Sequence, residues 1–383
     1  VDPSIFPPGE GTVARQNFLA VSVNKNVVSV VDLPAGHAPG TFDALCQDQL
    51  ERDNCPDNKR GDKCEEVLEC KTDSCGPNGL CLVQNHQLKC ICKEGYTGSN
   101  CTVKFKEMCM YGDPHFYSFD GNYFDYMGTC PYTVVEPCNN KLKETFGFEP
   151  FGVRSKSFKR RPTDVVSWAQ SVEVDLYGQH VFVSFDLAVT VNGFMINLAA
   201  NTITITTEKS VQVLFSRISQ WNRRLCVKLP DIPELRGEMC GIGGNMNGDC
   251  KDDFRKKDGR IIPVENCRAY VKKIADEFAS SWSVDRYTNW NSSTDHCEMP
   301  PTDPKTCKEE VTQPACKLIL LSKTNEGPFG QCSALGAAYI DIAYKNCLFD
   351  VCADEENKCD ILNDFAHECK LRVHSKFRAF HVM

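Results

Sequence analysis

Apolar and polar residues alternate with period two through much of the middle of this chain. Val172, Val174 and Leu176 lie two apart, as do Val181, Val183 and Phe185, then Val189 and Val191, Ile203 and Ile205, and Val211 and Val213. A strand turns successive side chains to opposite faces, so each run predicts a strand with one buried face. Val191-Asn192-Gly193-Phe194 predicts a tight hairpin, because Asn-Gly accepts the positive φ that its turn requires. Residues 106–283 are therefore expected to form an antiparallel β-sandwich.

The pattern changes on either side. Phe18-Leu-Ala-Val-Ser-Val and Val27-Val-Ser-Val-Val flank Asn24-Lys-Asn and predict a strand pair. Two strands rarely stand alone, so residues 1–45 read as the tail of an upstream β domain. Residues 46–69 form a cysteine-containing linker. Towards the C-terminus, 335–348 and 360–371 carry apolar residues at helical spacing, followed by a tail over 371–383. No run approaches the ~18 apolar residues of a membrane helix.

Composition narrows the setting. The chain has 383 residues, 24 of them cysteine, and a net charge of −8. An even, dense set of cysteines is expected of an oxidised, secreted or cell-surface protein. The close pairs Cys90-x-Cys92 and Cys347-x4-Cys352 lack the CxxC spacing of a zinc site. Net acidity argues against nucleic acid as a partner. A start at Val1, without Met or signal peptide, is expected of a processed N-terminus or a fragment. No His-Glu-x-x-His, Gly-x-Ser-x-Gly or phosphate loop is present, so no catalyst is expected.

Two stretches carry most of the information. One is Cys109-Met-Tyr-Gly-Asp-Pro-His-Phe-Tyr-Ser-Phe-Asp-Gly121; the other is Cys240-Gly-Ile-Gly-Gly-Asn-Met-Asn-Gly-Asp-Cys-Lys-Asp-Asp-Phe254. Together they resemble the opening and closing signatures of the von Willebrand factor type D (VWD) domain, an extracellular module of mucins, zonadhesin, tectorins and Fc-binding mucus proteins. The six cysteines over 70–101, with Gly95-Tyr-Thr-Gly98 before the last, are similar to an EGF-like module without calcium. Residues 297–370, with eight cysteines, resemble the helical C8 module that follows a VWD domain. The fold expected is multi-domain and mainly β.

Resemblance also implies disulfides. In the EGF-like module it gives Cys70–Cys81, Cys75–Cys90 and Cys92–Cys101. In the VWD domain it gives Cys109–Cys240, Cys138–Cys226 and Cys130–Cys297, with Cys250 free to pair with the nearby Cys267. Cys307–Cys352, Cys316–Cys347 and Cys332–Cys369 suit the C8 module, and Cys55–Cys64 closes a loop. Cys46 and Cys359 are left, either to join two chains or to bridge internally. Relatives end the domain in Cys-Gly-Leu-Cys; Cys240-Gly-Ile-Gly243 lacks the second thiol, which removes CxxC exchange chemistry at this point.

Asn245, Asn247, Asp249, Asp252 and Asp253 crowd oxygen donors into nine residues, with Gly248 permitting a sharp turn. Such a loop either holds a hard cation or caps its own backbone. The resemblance implies a structural Ca2+ on Asp120, Asn245, Asn247, Asp252 and Asp253. Asp113-Pro114 belongs to Gly112-Asp-Pro-His115, where some relatives cleave their own backbone in mild acid. Its other reading is a constrained turn with His115 packed or hydrogen-bonded in the core. Arg60-Gly61-Asp62, inside the Cys55–Cys64 loop, is either an integrin-type adhesion tripeptide or a charged turn. Arg160-Arg161 reads as a processing site, a heparin-like patch or a solvated basic loop. Asn100 and Asn291 begin Asn-x-Ser/Thr triplets that accept glycans in secreted chains. The function expected is a secreted structural or adhesive glycoprotein. Its partners would be other extracellular proteins or copies of itself, with no membrane span. An integrin ligand and a self-cleaving protein stand as alternatives.

Overall fold

The structure, a computed structural model, describes residues 18–24, 27–33, 58–60, 65–84, 87–112, 114–192, 194–196, 201–207, 209–264, 267, 272–298, 309–353, 355 and 358–377. Two sheets dominate. In chain order their strands are β1 (Phe18–Asn24), β2 (Val27–Leu33), β3 (Val103–Tyr111), β4 (His115–Tyr117), β5 (Tyr123–Asp125), β6 (Pro131–Pro137), β7 (Phe151–Phe158) and β8 (Trp168–Leu176). They continue with β9 (Gln179–Val183), β10 (Val189–Val191), β11 (Phe194–Ile196), β12 (Thr202–Thr207), β13 (Gln212–Arg217), β14 (Arg223–Pro230) and β15 (Met239–Cys240). One sheet runs β5-β4-β3-β14-β13-β12-β1-β2, and the other β11-β10-β9-β8-β7-β6-β15.

The alternation in sequence becomes the core. Val172, Val174, Val181, Val183 and Val189 of the second sheet are fully buried, as are Met108, Ile203, Leu225 and Val227 of the first, and all belong to one cluster. Each buried valine or isoleucine contributes roughly 1.5–3 kcal/mol relative to exposure. The Asn192 hairpin forms as expected, with φ +47 at Asn192 and Val191 opposite Phe194.

The strand pair near the N-terminus corrects the expectation of a separate upstream unit. β1 pairs with β2 and, in parallel, with β12, with Leu19 opposite Ile203 and Val21 opposite Ile205. The hairpin therefore continues the sandwich sheet, which gives two otherwise unsupported strands a partner.

The small unit over 70–101 holds a hairpin (Gly79–Gln84 with Gln87–Cys92) and the disulfides Cys70–Cys81, Cys75–Cys90 and Cys92–Cys101. It does not hang free. Tyr96–Thr97 pairs with the start of β3, and the buried Thr97 hydroxyl donates to Ser210 at 2.7 Å.

At the other end lie α1 (Lys141–Phe146) and α2 (Lys272–Ser280) of the sandwich, then three helices: α3 (Glu309–Leu321), α4 (Ala337–Ala353) and α5 (Lys358–Phe377). Cys316–Cys347 ties α3 to α4, and Cys332–Cys369 ties the preceding 3-10 turn to α5. The sequence pattern had missed α3, whose Pro314 interrupts the helical reading. This helical unit packs on the sandwich through Phe349 and Ala353, which cover Met127, Val166 and Trp168. Among the described residues, no helix is long and apolar enough to cross a membrane.

Candidate functional site

The two signatures meet at one end of the sandwich. The first closes β3 and supplies β4, and the second leaves β15 and curls into a 3-10 turn over Cys250–Asp252. Asp253 is 1% exposed. Its Oδ1 accepts from the Asn245 backbone N–H at 3.2 Å; its Oδ2 accepts from Ser118 Oγ at 2.6 Å and Asn122 Nδ2 at 3.2 Å. Burial, reinforced by the charge of Asp120 and opposed by these hydrogen bonds, pushes the Asp253 carboxyl up to about 7.

Asp120 lies beside it with a fully buried side chain. Its Oδ1 accepts from Lys106 Nζ at 2.8 Å and the Gly248 backbone N–H at 2.9 Å. Its Oδ2 is buried and accepts no hydrogen bond. Asp252 Oδ1 accepts from Asn245 Nδ2 at 2.9 Å and from Asn247 Nδ2 at 3.1 Å. Asp120, Asn245, Asn247, Asp252 and Asp253 thus converge. Asp249 does not join them; it caps its own turn, accepting from the Lys251 N–H. Ser118, Asn122 and Lys106 were missed in the sequence, although Ser118 and Asn122 interrupt an otherwise aromatic stretch.

His115 occupies the second polar centre. It is 2% exposed, with Nδ1 2.7 Å from Asp125 Oδ1 and Nε2 2.9 Å from Asp350 Oδ2 of α4. Burial opposes a charge on the ring, but the carboxylates of Asp350 and Asp125 outweigh it and hold the imidazole pKa well above its ordinary value. Around it, Asn346 donates to the Tyr123 hydroxyl, Asn222 to Asp364 and Arg224 to Glu368. His115 is therefore a hydrogen-bonded core residue. Pro114 is buried, and Asp113 lies outside the described residues.

The disulfides correct two expected pairs. Cys109 bonds to Cys226 and Cys138 to Cys240, an exchange of partners against Cys109–Cys240 and Cys138–Cys226. Register is the reason: β3 lies beside β14 with Cys109 opposite Cys226, while β6 pairs with β15 and brings Cys138 next to Cys240. Cys130–Cys297 and Cys250–Cys267 are present. Cys352 is bonded, Cys359 is free and exposed near the start of α5, and Cys46, Cys55, Cys64 and Cys307 lie outside the described residues.

The remaining motifs separate. The Lys59–Arg60 strand pairs with Glu66–Val67, leaving Gly61 and Asp62 outside the described residues. Arg160 is no solvated loop residue: its guanidinium stacks 3.9 Å from the Trp168 ring. Asn100 is exposed and its Oδ1 accepts from the Thr102 hydroxyl at 2.8 Å; the Asn291 side chain lies outside the described residues. Among the described residues two groups of His, Cys, Asp or Glu have metal-ligand spacing, and both lie away from the Asp253 loop. In the first, Glu107 stands beside Cys109 and Cys226, whose sulfurs are bonded to each other. In the second, Glu173, Asp175 and His180 already bind Arg154 and Thr288.

Residues 109–260 match the family model of the von Willebrand factor type D domain. The match covers about two fifths of the chain. Its span runs from the first cysteine of the opening signature past the Asp253 loop, so the convergent carboxylates lie within the matched region. The chain is 26% identical to zonadhesin of Sus scrofa over 306 residues, which cover 74% of it and 10% of the relative. It is 28% identical to human IgGFc-binding protein over 71% of this chain and 5% of the relative. Against von Willebrand factor of Bos taurus the identity is 25%, over 87% of this chain and 35% of the relative. The chain thus spans a tenth or less of the first two relatives and about a third of the last.

Proposed function

We propose that this chain belongs to a secreted, extracellular structural or adhesive glycoprotein. It assembles through protein–protein contacts, with copies of itself or with matrix, mucus, coat or filament components, and performs no catalysis. The observation that carries this reading is the set of nine disulfides among the described residues, which fastens the 70–101 unit, the VWD domain and the helical unit and, through Cys130–Cys297, links the VWD domain to the start of the 297–370 unit. Such bridges persist in oxidising compartments. The 70–101 unit reads as EGF-like and 297–370 as C8.

Structural calcium belongs to this reading. The donor set fits a hard cation: three carboxylates and two amide oxygens, one carboxylate oxygen (Asp120 Oδ2) buried without a partner, and a second carboxyl (Asp253) whose charge burial disfavours. Asp120, Asn245, Asn247, Asp252 and Asp253 would hold the ion, which supplies positive charge that joins the first and last elements of the domain. Assembly is tested on the oxidised, secreted chain by sedimentation with and without calcium, alongside non-reducing electrophoresis of the chain and of Cys359→Ser. Oligomers that Cys359→Ser diminishes support covalent assembly through this exposed thiol. A monomer under every condition refutes self-assembly.

A further inference from the structure

The contact between the VWD domain and the helical unit is built from ionisable groups, and acids outnumber bases. His115 of β4 faces Asp125 and Tyr123 of β5 and Tyr111 of β3 from its own domain. From the helical unit it meets Asp350 of α4, with Asp364 of α5 close enough to feel its charge. Beyond lie the Arg224–Glu368 ion pair, Asp360 accepting from Ser219 Oγ at 3.0 Å, and His367 of α5. Five carboxyls (Asp125, Asp350, Asp360, Asp364 and Glu368) thus lie with two imidazoles (His115 and His367) and one guanidinium (Arg224). The Asp364 Oδ1 is buried and accepts no hydrogen bond.

We propose that His115, clasped between Asp125 of the VWD sheet and Asp350 of α4, is a proton-operated latch: the helical unit docks firmly while the imidazole carries two N–H donors and loosens when it loses one. Neutral imidazole can donate to only one of the two carboxylates, so deprotonation to solvent leaves the other facing a lone pair. It also leaves Asp125 and Asp350 as like charges in a buried space, which is costly unless they are paired.

The sign follows from linkage. A histidine pKa raised further by docking stabilises the docked state fully below its undocked value, and that stabilisation disappears as pH rises through the docked value. Asp364 acts in the same direction, because burial and then the Asp350 charge hold its carboxyl protonated far above the usual carboxylate range. His367 opposes them: burial and Arg224 lower its pKa, so its protonation in acid disfavours docking. Its lowered pKa confines its own response to acid, which leaves the His115 response as the one expected at neutral to alkaline pH.

Met127, 3% exposed beneath Phe349 and Ala353 of α4, is a reporter of docking. Hydroxyl-radical footprinting of the full chain, with the core residue Phe215 as internal standard, reads its exposure between pH 5.5 and 9.5. Labelling of Met127 is expected to be low in mild acid. It should rise by up to tenfold per pH unit for each linked proton between the undocked and docked His115 pKa values, and level off above the docked one. His115→Gln should remove the His115 share of that rise and leave the weaker dependence that Asp364 carries. Should His115→Gln fail to fold, Asp350→Asn, altered only on the helical side, is expected to raise Met127 labelling at pH 6 at least severalfold. Flat Met127 labelling in the native chain overturns the latch. So does a native-like pH profile in His115→Gln, or native labelling in Asp350→Asn.

Discussion

Cys109 of β3 and Cys226 of β14 stand directly opposite each other on neighbouring antiparallel strands, Cα atoms 4.2 Å apart, and are bonded. The bridge spans 117 residues of sequence but closes a gap the sheet has already closed. Peptide mapping under non-reducing conditions should therefore recover Cys109–Cys226 and Cys138–Cys240. Cross-strand closure of so long a loop suggests about 4–5 kcal/mol on the chain-entropy account. Cys130–Cys297 and Cys138–Cys240 already tether the same segments, so the Cys109→Ala/Cys226→Ala chain should lose less, about 2–3 kcal/mol, in urea unfolding. Recovery of a Cys109–Cys240 peptide would refute the pairing.

How legible was this in the sequence? The inward valines of β8, β9 and β10 and the Asn192 turn followed from local rules, because period and turn chemistry are properties of adjacent residues. The exchanged disulfides did not, since which cysteine faces Cys109 depends on β14 lying beside β3, a register fixed across more than a hundred residues. The five oxygen donors of the Asp253 loop were readable as a cluster. The residues that hold Asp253 and Asp120 in place, Ser118 and Asn122 on the one and Lys106 on the other, emerge only when the chain around β4 folds back. Asp350 carried a signal that went unused: a carboxylate between Phe349 and Val351 in an apolar helix stretch needs a buried partner.

Calcium should act through Asp253. With its carboxyl raised to about 7 when no metal is bound, the folded state prefers the proton. Metal-free stability is then full below about pH 4 and falls as pH rises through 7, by on the order of 4 kcal/mol. Calcium at a hundredfold excess over its Kd should restore about 2.7 kcal/mol at pH 7.5, and less at pH 5, where protons compete. Asp253→Asn should flatten the metal-free pH profile and abolish the calcium shift in Tm. An equal calcium shift in parent and Asp253→Asn chains would exclude this site. Gly244→Ala should mimic the loss, since a Cβ there (φ +85) would sit 2.2 Å from Asp253 Oδ1.

Arg224 and Glu368 join β14 to α5 as a buried ion pair. Removing one partner leaves a buried charge, so Glu368→Ala should cost about 3 kcal/mol, the low end of such losses because Glu107 stays 3.8 Å from the guanidinium. Replacing both by apolar residues of similar volume should cost much less than the two single changes summed. A strictly additive double-mutant cycle in chemical denaturation would mean that the pair is not coupled.

Asn100 offers an exposed acceptor whose Oδ1 already receives the Thr102 hydroxyl. The chain made in a secreting eukaryotic cell should lose mass on treatment with a peptide N-glycosidase, and Thr102→Ala should remove the Asn100 share of that loss. Unmodified Asn100 in tryptic peptides from such material would contradict the expectation.

Gly243 occupies the place of the second thiol in Cys-Gly-Leu-Cys, and the packing here leaves little room for one. A Cβ at Gly243 would lie 3.0 Å from Val135 Cγ2, 3.1 Å from Met108 Cγ and 3.2 Å from the Val134 carbonyl oxygen. Two of those contacts are side chains in a fully buried core, where an added methyl forces neighbours off their rotamers. Gly243→Ala should therefore lower stability by about 1–3 kcal/mol, read as a shift in denaturation midpoint at unchanged m-value. Gly243→Cys should lower it further, and the introduced thiol should not bridge to Cys240, which is already bonded to Cys138. A Gly243→Cys chain as stable as the parent, yielding a peptide in which Cys240 is bonded to the introduced thiol, would show that the loop accepts the exchange chemistry the packing argues against.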